Sequence, residues 1–217
     1  MEFDESRGGI SDPITLASDE CKAELYQLFI EKKALQPVRW EELNKEQKQK
    51  VIRLHMFLKE KYEDGTFVKM KAKLVADGRM QDRSVYPVHS SPTEKTNSVM
   101  TCLELAATKD WGLTKIDIAS AYLCAGIGEN DEVFMVLDRT LSNLCEESMP
   151  EVKEYLGEDG KLVVRLDEAL YGLIQSAKLW YQELLGFLLG KGFKVCPSDQ
   201  CVFVKRMNSI TKNIYSV

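Results

Sequence analysis

The chain has 217 residues, 44% of them hydrophobic and 29% charged, an ordinary globular composition with enough apolar material for one domain or one and a half. No apolar run reaches the roughly 18 to 20 residues that a membrane helix needs, and the acidic start Met1-Glu2-Phe3-Asp4-Glu5 has no apolar core of a secretory signal, so an intracellular location is expected. The six cysteines (Cys21, Cys102, Cys124, Cys145, Cys196, Cys201) form no Cys-x-x-Cys pair and lie far in sequence from His55 and His89, which argues against zinc and for reduced thiols. The net charge of −5 argues against a nucleic-acid partner only as an average. The first 44 residues hold ten acids against five bases, whereas Lys45–Arg83 holds eleven bases against six acids.

In chain order, residues 1–17 read as a mobile tail with Gly8-Gly9 and Pro13. Ser18-Asp19 can cap a helix to about Gln36 with Cys21, Leu25, Leu28 and Phe29 on one face, stopped by Pro37. Leu43–Lys50 is a short polar helix or loop. Val51–Tyr62 and Thr66–Asp77 alternate as strands around Glu63-Asp64-Gly65, a strong hairpin signal. Ile52, Leu54, Met56 and Leu58 share one face of the first strand. Lys69, Lys71 and Lys73 share one face of the second, so the hairpin is expected to present lysines on one side.

After an extended Tyr86–Pro92, Ser91 or Thr93 can cap a helix to about Asp110, with Val99, Met100, Leu103 and Ala106-Ala107 inside and Gly112 beyond its end. Leu113–Ile118 and Glu132–Leu137 read as strands, 138–160 as an acidic irregular surface insertion, and Leu162–Leu166 as a short strand. Ser176–Lys191 is a helix burying Leu179, Trp180, Leu184 and Phe187-Leu188, ended by Gly192. Cys201–Arg206 and Thr211–Val217 make a second hairpin around Met207-Asn208-Ser209. Helices and strands in this order point to an α+β fold.

Asp117 closes a mostly apolar strand, where a carboxylate is costly unless it binds a metal or is paired; a helix cap or a salt-bridged acid is the alternative. Tyr122 follows five residues later, near enough for its ring to stand beside whatever Asp117 coordinates, or else simply a core tyrosine. Gly172, between Tyr171 and the helix from Ser176, allows a ligand to approach the backbone, or serves a turn. Gly186–Lys191 is not a phosphate loop, having three residues between glycines and no following Ser or Thr, and Gly126-Ile127-Gly128 lacks the rest of a dinucleotide fingerprint.

Taken together, several stretches resemble the reverse transcriptase domain of copia-type LTR retrotransposon polyproteins. They are Lys71-Ala72-Lys73-Leu74-Val75-Ala76-Asp77-Gly78-Arg79-Met80-Gln81, Ser91-Pro92-Thr93 and Ile116-Asp117-Ile118-Ala119-Ser120-Ala121-Tyr122-Leu123. Glu132-Val133-Phe134-Met135, Leu170-Tyr171-Gly172-Leu173-Ile174-Gln175, Trp180-Tyr181 and Asp199 with Cys201-Val202-Phe203 complete the series. The match runs over about residues 37–217, and its specificity lies in the order of the pieces.

The resemblance implies a right-hand polymerase: an N-terminal tail and helix (1–36), a fingers-like region with the basic hairpin (37–110) and a partial palm (111–217). It implies an RNA-directed DNA polymerase that adds dNTPs to a template-primer with two Mg2+ ions, in a cytoplasmic virus-like particle. Asp117 resembles the first metal-binding and catalytic aspartate, and Tyr122 the gate against ribonucleotides. Lys73 stands where the family has Arg, keeping the charge without the fork geometry, and Tyr171, Gly172 and Gln175 resemble the segment packed on nucleotide and template. Lys69 and Lys71 are expected to touch nucleic acid. Ser176-Ala177 replaces the family's usual Ala-Pro. The family's Tyr-x-Asp-Asp motif is expected just past the final strand, so the chain reads as truncated before it, lacking two of three metal carboxylates, and inactive by itself. A non-catalytic nucleic-acid-binding remnant, or an unstable product of a decayed element, is the alternative.

Overall fold

A computed structural model describes residues 13–86, 90–128, 131–206 and 212–216 of the protein. They fall into two compact units that alternate along the chain: Met1–Asp82 with Gly126–Leu173, and Arg83–Ala125 with Ile174–Val217.

The first unit holds five strands, β1 (Leu35–Val38), β2 (Ile52–Glu63), β3 (Thr66–Ala76), β4 (Val133–Leu137) and β5 (Leu162–Leu166), in the order β1-β5-β4-β2-β3. All neighbours are antiparallel except β2 and β4, so the sheet is mixed and the chain is a mixed α/β protein. The centre is formed by β4 and β5, whose runs Val-Phe-Met-Val-Leu and Leu-Val-Val-Arg-Leu are apolar on both faces, as a strand covered on both sides requires. Met135, Leu137, Leu162 and Val164 are fully buried, and on the opposite face Phe134 and Val163 pack on Leu43 with Val38, Val51 and Val136. Helix α1 (Pro13–Tyr26) packs on β3 and on α4 (Arg139–Ser148), burying Cys21 and Leu25.

The basic hairpin stands as expected. Asp64 and Gly65 both take positive φ (51° and 77°), the turn that Asp-Gly favours between strands of right-handed twist. Only Ile52 and Arg53 of β2 pair with β4; from Leu54 outward the hairpin is a two-stranded ribbon. A bulge between Lys61 and Tyr62 leaves Val68 unpaired and sets the register. Leu54 and Met56 thereby oppose Ala76 and Leu74, while Lys59 opposes Lys71 and Lys61 opposes Lys69. A tight two-residue turn without the bulge would slip the register by one and pair lysines with apolar residues.

Several expectations change. The first helix starts at Pro13, with Ser18 and Asp19 inside it rather than at its cap, continues as a π-helical turn over Gln27–Glu31 and ends well before Gln36. Pro37 lies within β1, an edge strand, where a missing N–H is tolerated. Residues 138–160 are ordered: Asp138 caps α4 by accepting a bond from the Leu141 amide (2.9 Å), and a 3-10 helix spans Pro150–Tyr155. Leu141, Cys145, Met149 and Val152 are buried at helical spacing beneath a polar exterior, and burial pushes the Cys145 thiol up to about 12. The buried Ser142 hydroxyl donates to the Asp138 carbonyl (2.7 Å) and accepts from the Leu162 amide (2.9 Å). The short helix expected over Leu43–Lys50 is α2 (Lys45–Gln49), closed by an Asn44–Gln47 capping box.

In the second unit, α3 (Thr96–Lys109) has no cap of its own; the buried Asp199 carboxylate accepts from the Lys95 amide (2.9 Å) and from the Cys201 amide (2.9 Å). The Ser98 hydroxyl first, and then these two amide bonds, hold its carboxyl below the usual range. Helix α3 ends at Asp110 in a left-handed conformation, ahead of Gly112. Met100 and Leu103 are exposed on it and Ala106 is buried. Helix α5 (Ser176–Gly190) buries Leu184 and Leu188 against Phe203, with Trp180 and Tyr181 at the margin and Phe187 facing solvent. Strands β6 (Lys194–Cys196), β7 (Asp199–Arg206) and β8 (Lys212–Ser216) form a three-stranded sheet. The turn around Met207-Asn208-Ser209 lies outside the described residues, as do most of the tail, residues 1–12, and residues 87–89 of the extended Tyr86–Pro92 segment.

The expected strand Leu113–Ile118 does not form. Residues 111–118 have no regular structure, and Leu113, Ile116 and Ile118 are 69%, 68% and 43% exposed. Alternation of apolar residues makes a strand only where a neighbour supplies the ladder, and none of the described strands does so here.

Candidate functional site

At the root of the ribbon, β3 runs into a tight corner. The Ala76 amide donates to the Tyr171 carbonyl (2.8 Å), and the Asp77 amide donates to the Arg53 carbonyl (2.9 Å). Gly172 takes φ +94°, and a Cβ there would collide with the Ala76 carbonyl oxygen; a Cβ at Gly78 would collide with the Gly172 carbonyl oxygen. Two glycines thus let two backbone segments touch. The outward Leu74 amide is taken by the Glu24 carboxylate at 3.1 Å. Asp77 accepts from Arg79 Nε (2.8 Å) and Nη (2.9 Å), with His55 Nε2 3.7 Å away, and the Arg79 guanidinium holds its carboxyl down at about 2.

Into this corner comes Lys73. Its Nζ lies 3.0 Å from the centroid of the Tyr171 ring, a close cation–π contact. Burial pushes its ammonium below the ordinary value, Lys71 pushes the same way, and Glu24 opposes them. Lys73, Tyr171 and Gly172 are therefore gathered in the first unit, while Lys69 and Lys71 stand exposed farther out on β3.

The other predicted residues lie in the second unit. Asp117 is exposed, outside any strand, with no ion pair or hydrogen bond among the described residues. Tyr122 is half-buried on a 3-10 turn, Ala121–Cys124, that packs against α5 and follows Ser120 in a left-handed conformation. Gln175 is buried at the entrance of α5, where its carbonyl accepts from the Leu179 amide (3.0 Å). Among the described residues no three His, Cys, Asp or Glu side chains gather to hold a metal. Asp117 stands alone in that chemistry, so these residues do not by themselves fit a pair of Mg2+ ions.

Residues 38–216 match the family model of a reverse transcriptase (RNA-dependent DNA polymerase). The chain belongs to the reverse transcriptase family. It is 30% identical over 146 residues to the "Retrovirus-related Pol polyprotein from transposon TNT 1-94" of Nicotiana tabacum, an alignment covering 67% of the chain and 10% of that protein. It is 32% identical over 151 residues to the Pol polyprotein from transposon RE1 of Arabidopsis thaliana, covering 69% and 9%. To the transposon Ty1-ER2 Gag-Pol polyprotein of Saccharomyces cerevisiae it is 33% identical over 150 residues, covering 68% and 7%. These are copia-type elements, as the motif order implied, and the chain spans about a tenth of the length of the curated relatives it matches. No solved structure matches the chain. No helix among the described residues is long and apolar enough to cross a membrane.

Phe57, Lys59 and Lys61 share one face of β2 by their two-residue spacing, and the bulge sets them opposite Lys73, Lys71 and Lys69.

Proposed function

We propose that this chain is a piece of an RNA-directed DNA polymerase of a copia-type element, holding the fingers and part of the palm. In this reading Lys73 meets the triphosphate of an incoming dNTP, Tyr171, Gly172 and Gln175 line the nucleotide and template, and Tyr122 excludes a ribose 2′-hydroxyl. Asp117 is the ligand this piece contributes to the Mg2+ ions of the longer enzyme, and RNA or DNA template-primer is the partner.

The observation that carries the reading is the Lys73–Tyr171 contact. Burial strips the Lys73 ammonium of water and leaves it an aromatic face as its neighbour, so a phosphate would restore the solvation that its charge has lost. The glycine-fixed corner beneath it holds both residues without help from a ligand.

The test is photo-crosslinking of an azido-dNTP to the 217-residue chain, followed by peptide mapping. Labelling confined to the peptides of Lys73 and Tyr171, and lost with Lys73→Ala, is expected; labelling spread over the surface overturns the reading. With Asp117 as the one metal-binding aspartate that the resemblance assigns to these 217 residues, they are expected not to extend a primer on RNA with dNTPs and Mg2+. Robust extension would refute that expectation.

A further inference from the structure

Polymerase chemistry leaves two cysteines of the second unit without a role. Cys196 ends β6 and pairs with Asp199 across the turn Pro197-Ser198. The Ser198 hydroxyl lies 3.1 Å from the Cys196 sulfur, and the Ser198 and Asp199 amides also donate to that sulfur. The Lys95 ammonium donates to the Ser198 carbonyl (2.7 Å), so a cation stands at the same turn, next to the first residue of α3. Donors on sulfur, a neighbouring lysine and a helix start are the surroundings that favour a thiolate, the nucleophilic form of cysteine. The Ser198 hydroxyl first, then its amide, hold the Cys196 thiol below the ordinary value, against partial burial and the Asp199 charge. Cys196 is half-buried rather than sealed, which leaves it open to a small oxidant.

Cys102 is the second thiol. Helix α3 is tied to the same turn by the Asp199 carboxylate, which accepts from the Lys95 amide and the Ser98 hydroxyl. Cys102 follows Ser98 by four residues, one helical turn or about 6 Å farther along the same face of α3. Burial pushes the Cys102 thiol up, and the nearby Cys196 sulfur and Asp199 carboxylate push the same way. One sulfur is thus prepared to attack and its neighbour stays protonated, in reserve. The remaining cysteines are placed differently. Cys201 is buried, with its thiol pushed up by that burial, and Cys21 and Cys145 are buried in the first unit. Cys124 is exposed, but its thiol only donates to the Ser120 carbonyl (4.0 Å).

We propose that Cys196 and Cys102 are a peroxide-sensitive dithiol that closes to a disulfide between β6 and the second turn of α3. The Cys196 thiolate attacks hydrogen peroxide: an S–O bond forms, the O–O bond breaks, and the departing hydroxide takes up a proton as water, leaving a sulfenic acid. The Cys102 sulfur then attacks the Cys196 sulfur. The S–S bond forms, the S–O bond breaks, and the Cys102 proton leaves with the hydroxide as a second water. Two thiols lose two electrons and the peroxide gains them. This goes beyond the polymerase reading and stands whether or not the chain binds a nucleotide.

The test is to treat the reduced 217-residue chain with one equivalent of hydrogen peroxide, block the remaining thiols with N-ethylmaleimide and map the peptides by mass. A linked Cys102–Cys196 peptide is expected as the main product, with a raised Tm, as closure of a long loop implies, and both are reversed by dithiothreitol. With Cys102→Ser the sulfenic acid should persist on Cys196 and be captured by dimedone. Cys196→Ser is expected to slow the first oxidation about tenfold. Ser198→Ala, on the exposed side of the turn, should slow it several-fold at unchanged Tm, which separates loss of a sulfur donor from loss of the fold. First oxidation at the exposed Cys124 overturns the proposal, as does a sulfenic acid on Cys196 that never resolves in the parent chain. So does a Cys102–Cys196 link that forms equally in chain unfolded by guanidinium chloride.

Discussion

Lys73 and Asp117 both lie in stretches that resemble the motifs of the same family, yet their surroundings differ. Lys73 lies in a corner where an aromatic ring, two glycines and three backbone or carboxylate hydrogen bonds fix every neighbour. Asp117 sits in an unpaired, solvent-facing stretch between apolar residues that are themselves exposed. The comparison separates two kinds of motif residue: those that the local fold also needs, and those whose surroundings these residues leave unbuilt.

The largest effect is expected at Gly172. Gly172→Ala places a Cβ against the Ala76 carbonyl at a φ that disfavours any side chain, and is expected to cost on the order of 3 kcal/mol. Chemical denaturation should show it, and a loss within experimental error would mean the corner can open. Next, Lys73→Gln should lower stability by about 0.5 to 1 kcal/mol through loss of the ring contact while abolishing dNTP labelling. If stability falls and labelling survives, Lys73 is only a structural residue.

Asp77 sharpens the contrast through pH. Its folded value of about 2 lies below the ordinary 3.8, so its stabilisation is present above about pH 4 and disappears as pH falls through 2. Asp77→Asn should therefore melt lower than the parent at pH 5, with the gap closing towards pH 2; a gap independent of pH would assign the effect to shape. The smallest change is expected at Asp117→Asn, with stability altered by less than about 0.5 kcal/mol and no response of Tm to added Mg2+ in either form. A clear loss of stability would show that Asp117 has a structural partner after all.

The same division explains what the sequence made legible. The ribbon, β4, β5 and α5 follow from local signals: an Asp-Gly turn, runs apolar on both faces, and a helix ended by glycine. Helix α4 and the 3-10 helix after it are hidden because the acidic exterior of residues 138–160 outweighs their four buried apolar positions when the segment is read as composition. The strand expected through Asp117 is absent because apolar spacing reports what a segment can pair with and not whether the partner is there. Asp199 could not be assigned its work from sequence either, as the helix end it caps begins 104 residues earlier, at Lys95.

The Glu24 carboxylate on the Leu74 amide has a consequence for how this molecule keeps to itself. Strand β3 is the last of its sheet, and the backbone of such a strand is an open invitation to any passing extended chain. At Leu74 and Ala76 the invitation is withdrawn, once by a side chain from α1 and once by the carbonyl of a turn. Loss of the carboxylate at position 24 would therefore show first in the test tube as turbidity at high concentration.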